Sequence, residues 1–154
     1  MRILFVCLGN ICRSPTAEGV LRQKLQRAGL ADNVEVASAG TGDWHVGKPP
    51  DARSRQAALA RGYDLSAQRA QQVSAEHFHR YDLILAMDHA NLLDLKALRP
   101  TGARAELDLF LRRYAGALDE VPDPYYDGEQ GFEQVLDLIE LASDHLLNEV
   151  RGRL

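Results

Sequence analysis

The sequence predicts an α/β fold, with one domain built on a four-stranded parallel sheet and helices on both of its faces. Three observations carry that expectation. Short apolar runs alternate with stretches of helical periodicity, as in a chain built from strand–helix–strand crossovers. The clearest runs, Ile3 to Cys7 and Asp82 to Met87, are nearly continuous in apolar character, which suits strands buried on both sides. Gly29, Gly62 and Pro100 stand where the helical stretches should stop.

Taken in order, Ile3 to Cys7 forms the first strand and Gly9-Asn10 turns the chain. Ser14 is read as a helix N-cap with Pro15 at the first helical position. Ala17, Val20, Leu21, Leu25 and Ala28 then recur at helical spacing. Val34 to Ser38 reads as a second strand, and Thr41 to Asp51 as a loop broken by Gly42, Gly47 and Pro49-Pro50. A helix is predicted over Ala52 to Arg61. Ser74 caps a short helical piece before the strand Asp82 to Met87, and His89 to Leu98 is helical. Ala103 to Leu107 is the candidate fourth strand. The LDLFLRRY stretch around and after its end is ambiguous between helix and loop. Asp119 to Gly131, rich in Asp, Pro and Gly, is a loop. Phe132, Val135, Leu136, Ile139, Ala142, Leu146 and Val150 mark a long amphipathic helix.

The chain's 154 residues (1–154) are expected to form that single domain without metal or disulfide staples. A net charge of −4 gives no global basic field, so neither nucleic acid nor an anionic membrane is expected as a partner. The apolar N-terminal MRILFVCLGN is too short for a membrane span and lacks a signal-peptide cleavage site, so a cytoplasmic location is expected. Two cysteines make no disulfide framework, and in a reducing compartment both rest as thiols.

Those two cysteines both lie in VCLGNICRSPTAEG, residues Val6 to Gly19. A loop leaving a strand and opening a helix turns backbone N–H groups inward, and the helix dipole adds positive potential: an anion cradle. Gly9 lets the backbone approach closely, and Asn10 tolerates a left-handed conformation. Arg13 supplies a planar fork for two phosphate oxygens. Cys7 opens the loop, where the positive field favours thiolate over thiol and Ser14 can donate a hydrogen bond to it. A phosphate ester attacked by that sulfur also needs an acid to protonate its leaving group. VPDPYYDG offers Asp123, stiffened between two prolines, and the less constrained Asp127; Asp123 is the preferred candidate.

Other readings of these residues are weaker. A cysteine ending a core strand is often only a small apolar filler, and Cys-x5-Arg alone recurs by chance. Cys12 is either a packing residue or a partner that traps an oxidised Cys7. Zinc lacks further thiol ligands, and no metal or other cofactor is expected. Neither Gly-x4-Gly-Lys-Ser/Thr nor Gly-x-Gly-x-x-Gly occurs. His77, His79 and His145 read as solvated helix residues. A phosphate-binding module without turnover stands as the alternative of a different class, though binding alone needs neither Cys7 nor Asp123.

Together VCLGNICRSPTAEG, SAGTGDWHVGKPPDARS, DLILAMD and DPYYDG resemble the low-molecular-weight protein tyrosine phosphatases, in order and over essentially the whole chain. The resemblance implies a metal-independent enzyme that hydrolyses aryl phosphate monoesters through a cysteinyl-phosphate. Tyrosine-phosphorylated proteins or peptides would be its substrates, and the chain would act as a monomer or weak homo-oligomer. It implies a phosphate loop in which Leu8, Gly9, Asn10, Ile11, Cys12 and Ser14 hold the anion. Cys7 would be the nucleophile, Arg13 the clamp, and Asp123 the acid and then the base. Asn10 would shape the loop, Ser14 would stabilise the thiolate, and Cys12 would match a second cysteine thought to protect the first. Trp44, Tyr125 and Tyr126 would wall a slot deep enough to reject phosphoserine. Ile11 with the paired tyrosines favours aryl phosphates over phosphoarginine. Trp44 separates the chain from relatives tied to surface-polysaccharide kinases. Arsenate reductases, which use cysteines far along the chain, fit poorly because none follows Cys12.

Overall fold

The strand Arg2–Cys7 (β1) is apolar from its second residue onward, and the rest of the sheet forms on its two sides. The structure, a computed structural model, describes residues 1–115, 118–125 and 127–154. β1 leads through a loop into α1 (Arg13–Arg27), followed by β2 (Glu35–Gly40) and α2 (Ala52–Ala60). Then come α3 (His77–Arg80), β3 (Leu83–Ala86), α4 (His89–Leu98), β4 (Glu106–Leu109), α5 (Phe110–Tyr114) and α6 (Glu129–Arg153). The four strands are parallel, in the order β2-β1-β3-β4. The expected sheet is therefore present, with β1 interior to it.

Side-chain alternation along β1 divides the core in two. Ile3, Phe5 and Cys7 face the layer of α1, α5 and α6, where Leu21, Phe110 and Ile139 are fully buried. Leu4 and Val6 face the opposite layer, with Phe78 of α3 and Leu92 and Leu95 of α4. The Phe5 and Phe110 rings meet edge to face at 5.0 Å, a geometry that aromatic quadrupoles favour. Alternation thus puts Cys7 on the α1 side, at the carboxyl end of the strand, where ligands of open parallel sheets bind. Among the described residues, no helix is long and apolar enough to cross a membrane.

Several boundaries differ from the sequence reading. α1 starts at Arg13 with Cys12 at its N-cap, and no side chain caps it, because Ser14 is engaged elsewhere. β2 runs to Gly40 rather than Ser38. The fourth strand lies at Glu106–Leu109 because a turn, closed by Ala103 N donating to Pro100 O, takes up the residues before it. LDLFLRRY is split: Leu107 to Leu109 extend, and Phe110 to Tyr114 form the helix α5. α6 begins three residues before Phe132, at Glu129. α2 is tied to α6 by Arg61, which pairs with Glu133, Asp137 and Glu140, and by Tyr63, whose hydroxyl donates to Glu140 Oε2 at 2.6 Å.

Candidate active site

The loop from Cys7 to Cys12 is short, and its carbonyls are held from outside. Thr41 N donates to Cys7 O, Gly42 N to Leu8 O and Asp51 N to Ile11 O, at 2.8–2.9 Å. With those carbonyls turned outward, the loop amides are free to point into the concavity, as in a backbone nest. Asn10 sits at a φ of 57°, the left-handed turn that asparagine tolerates better than most residues. Its side-chain amide is fully used: Nδ2 donates to Ser14 Oγ (2.8 Å) and Ser38 Oγ (2.9 Å), while Oδ1 accepts from Gln71 N (3.0 Å). Ser38 Oγ in turn donates to the buried Glu18 carboxylate at 2.8 Å. Burial raises the Glu18 pKa, against the opposing pull of Arg22 and Ser38.

Cys7 Sγ lies 3.0 Å from Ser14 Oγ and accepts from Asn10 N at 3.3 Å. Because Ser14 Oγ already accepts from Asn10, its one proton goes outward, and Cys7 Sγ is nearer than Ala39 O at 3.4 Å. The sulfur therefore meets hydrogen-bonding groups on the polar side of the loop. Cys12, the other free thiol, differs. Burial pushes its pKa up to about 12, only partly offset by a hydrogen bond with Ser54.

Arg13, 3% exposed, is the buried cation of the site. Its Nη1 donates to Asp88 Oδ2 (2.7 Å) and Val121 O (3.0 Å), and its Nη2 lies 3.7 Å from Asp123 Oδ2. Burial works against the guanidinium charge, but Cys7, Asp88 and Asp123 outweigh it and raise the Arg13 pKa. Asp88 sits at the N-cap of α4, where its Oδ1 accepts from Asn91 N. Asp123 stands between Pro122 and Pro124, with Tyr125 N donating to its Oδ1 at 3.1 Å. The segment is pinned to the sheet by Val121 N donating to Met87 O.

These groups surround a cavity of about 240 Å³ lined by Cys7, Leu8, Gly9, Ile11, Cys12, Arg13, His45, Asp123 and Tyr125. Asn10 and Ser14 stand behind the loop as its supports. Trp44 is not in the lining. It is 64% exposed, and its indole lies where a side chain at Gly42 would be, since a Cβ there would fall 1.9 Å from the ring. The turn that follows carries His45 over Gly9 instead. Tyr126 lies outside the described residues. Asp127, the alternative acid, lines a separate cleft of about 670 Å³ with Arg53 and Phe132. Sequence reasoning missed Glu18, Ser38, Gly40, His45 and Asp88. Of these, Asp88 closes the DLILAMD motif and His45 sits beside Trp44, whereas Glu18 carried no local signal.

Among the described residues no cluster of His, Cys, Asp and Glu could hold a metal ion. The arrangement can bind a tetrahedral oxyanion, set a sulfur under it and hold a carboxyl group at the opposite wall.

Comparison with known proteins agrees in sequence and in shape. Residues 2–153 match the family described as low molecular weight phosphotyrosine protein phosphatase. A low molecular weight protein-tyrosine-phosphatase of Streptomyces coelicolor is 46% identical, over 97% of this chain and 93% of its own length. The crystal structure of a protein tyrosine phosphatase from Entamoeba histolytica, with Hepes in its active site, superposes with a TM-score of 0.93. It is 37% identical and covers 100% of this chain and 99% of its own. A Drosophila arginine phosphatase gives a TM-score of 0.90 at 33% identity, over 97% and 98% of the two chains. Matched from its second residue nearly to its last, the chain belongs to the low molecular weight protein tyrosine phosphatases, which are phosphoric monoester hydrolases.

Proposed function

We propose that the chain hydrolyses aryl phosphate monoesters, phosphotyrosine in proteins or peptides above all, through a cysteinyl-phosphate and without a metal ion. The observation that carries this reading is the sulfur of Cys7, held by Ser14 and Asn10 at the floor of a cavity that Arg13 and Asp123 share.

In the first step the phosphate monoester lies in the loop, its oxygens on the backbone amides and the Arg13 guanidinium. Cys7 Sγ attacks phosphorus, the S–P bond forms and the P–O bond to the aryl group breaks. Protonated Asp123 gives its proton to the departing oxygen. In the second step water attacks phosphorus, Asp123 takes a proton from it, and the S–P bond breaks. Inorganic phosphate leaves, and thiolate and acid are restored. Charge on the equatorial oxygens is offset throughout by Arg13 and the loop amides, so the chemistry calls for no metal. Cytoplasm, a reducing compartment that keeps both thiols free, suits this mechanism.

Purified protein should release phosphate from an aryl phosphate in the presence of EDTA, and Cys7→Ser should abolish release. Turnover that persists in the variant would remove the proposal. A second reading, phosphoarginine hydrolysis, draws on the Drosophila arginine phosphatase. Ile11 and Tyr125 in the cavity wall favour the aryl substrate. Release compared across phosphotyrosine, phosphoserine and phosphoarginine peptides decides between them.

A further inference from the structure

Arg53, in the first turn of α2, stands between two cavities. On one side its guanidinium carbon is 5.2 Å from the centre of the Tyr125 ring, and on the other 4.8 Å from that of Phe132. The guanidinium is fixed in its plane by Asp51, which accepts from Nε at 3.1 Å and Nη2 at 3.0 Å, and from the Arg53 backbone N at 2.8 Å. Asp51 is itself tied to the phosphate loop through its backbone N, which donates to Ile11 O. Tyr125 lines the cavity above Cys7, and its backbone N donates to Asp123. A continuous series of contacts therefore runs from the loop through Asp51, Arg53 and Tyr125 to Asp123.

Tyr125 lies in a stretch with no regular secondary structure, two residues after Asp123 and directly after Pro124. Such a segment keeps an aromatic ring in one place only when something outside it supplies a surface. A planar cation held edge-on by a carboxylate is such a surface for a π face.

We propose that Arg53 is a positioning residue: its guanidinium, stacked between Tyr125 and Phe132, sets the tyrosine wall of the slot and, through the Tyr125 backbone, the Asp123 carboxyl group. The proposal rests on the reading of Asp123 as the acid. Arg53 touches neither sulfur nor phosphate, so its loss acts through the two groups it holds.

The test compares two esters, phenyl phosphate, whose leaving group needs a proton, and p-nitrophenyl phosphate, whose leaving group departs readily without one. Arg53→Met keeps the aliphatic stem and removes the plane. We expect kcat/KM, which reads the step that expels the leaving group, to fall about tenfold for phenyl phosphate, a fraction of what a positioned acid contributes, and to change at most about twofold for p-nitrophenyl phosphate. Arg53→Lys, with the charge but not the plane, should behave like the methionine variant, and it carries the test if that variant does not fold. In a Tyr125→Ala background, Arg53→Met should add little further loss, because the two share one route. Equal losses on both esters, full activity in Arg53→Lys, or additive losses would overturn the role. Cys7→Ser run alongside keeps the outcomes separate: turnover surviving in it removes the catalytic reading itself, whatever Arg53 does.

Discussion

Asp88 Oδ2 accepts a hydrogen bond from Arg13 Nη1 at 2.7 Å, while its Oδ1 caps the helix that begins one residue later. One carboxylate therefore serves both Arg13 and α4. The two roles separate in Asp88→Asn, since asparagine caps a helix about as well as aspartate but lacks the charge. A charge-assisted hydrogen bond contributes about 1.5–3 kcal/mol, so the variant should lose roughly tenfold or more in kcat/KM. Its melting temperature should stay close to that of the parent. Steady-state kinetics on an aryl phosphate check this, and an unchanged kcat/KM would show that Arg13 keeps its direction without the pair.

Among the described residues, Asp123 is the only one whose carboxyl group lines the cavity above Cys7. Replacing it with alanine should slow turnover by roughly 10²–10⁴-fold, the range for a positioned general acid. Rapid-quench measurement of cysteinyl-phosphate formation and breakdown reads both steps. If neither changes, the role belongs to another group, and Asp127 would have to leave its own cleft to take it.

Gly40 closes β2 against the phosphate loop. A Cβ there would lie 2.8 Å from Leu8 O and 3.1 Å from Asn10 N, both backbone atoms that cannot rotate away. Gly40→Ala should therefore displace the loop, and a misplacement of this size costs on the order of 10²-fold in rate. Phosphate release together with competition by inorganic phosphate tests it: both should weaken. Full activity would mean that the sheet yields instead of the loop.

The thiol of Cys12 gives a pH signature in the alkaline range. Its folded pKa of about 12 lies above the ordinary value of 9.0, so the native state holds the proton more tightly than the unfolded chain. The associated stability is intact below pH 9 and drains away as pH rises toward 12. Thermal melts of the parent and Cys12→Ala from pH 8 to about pH 11 should show the parent losing more. Parallel curves would mean that the buried thiol ionises as readily folded as unfolded.

What was readable in the sequence was local. Cys7, Gly9, Asn10, Arg13 and Ser14 occupy one strand–loop–helix unit, and their chemistry follows from types and spacing within eight residues. The apolar runs set the sheet because buried parallel strands leave no polar alternation to confuse. The supports were not readable. Glu18 and Ser38 reach Asn10 from a helix and a neighbouring strand, and only the packing of β2 on β1 joins them. Trp44 drew attention as the larger ring, yet the glycine two residues before it provides a seat facing away, and the smaller His45 takes the wall. The start of α1 shifted because a side chain that looks like a cap, Ser14, has a better partner in the folded site.

The long separation in sequence between Arg13 and Asp123 has a consequence for truncation. Val121 and Asp123, which complete the ring around the guanidinium, lie more than a hundred residues after Cys7 and Arg13. A fragment cut before Val121 keeps the whole cysteine loop but loses both of those groups. Such a piece would carry the motif without the closed site.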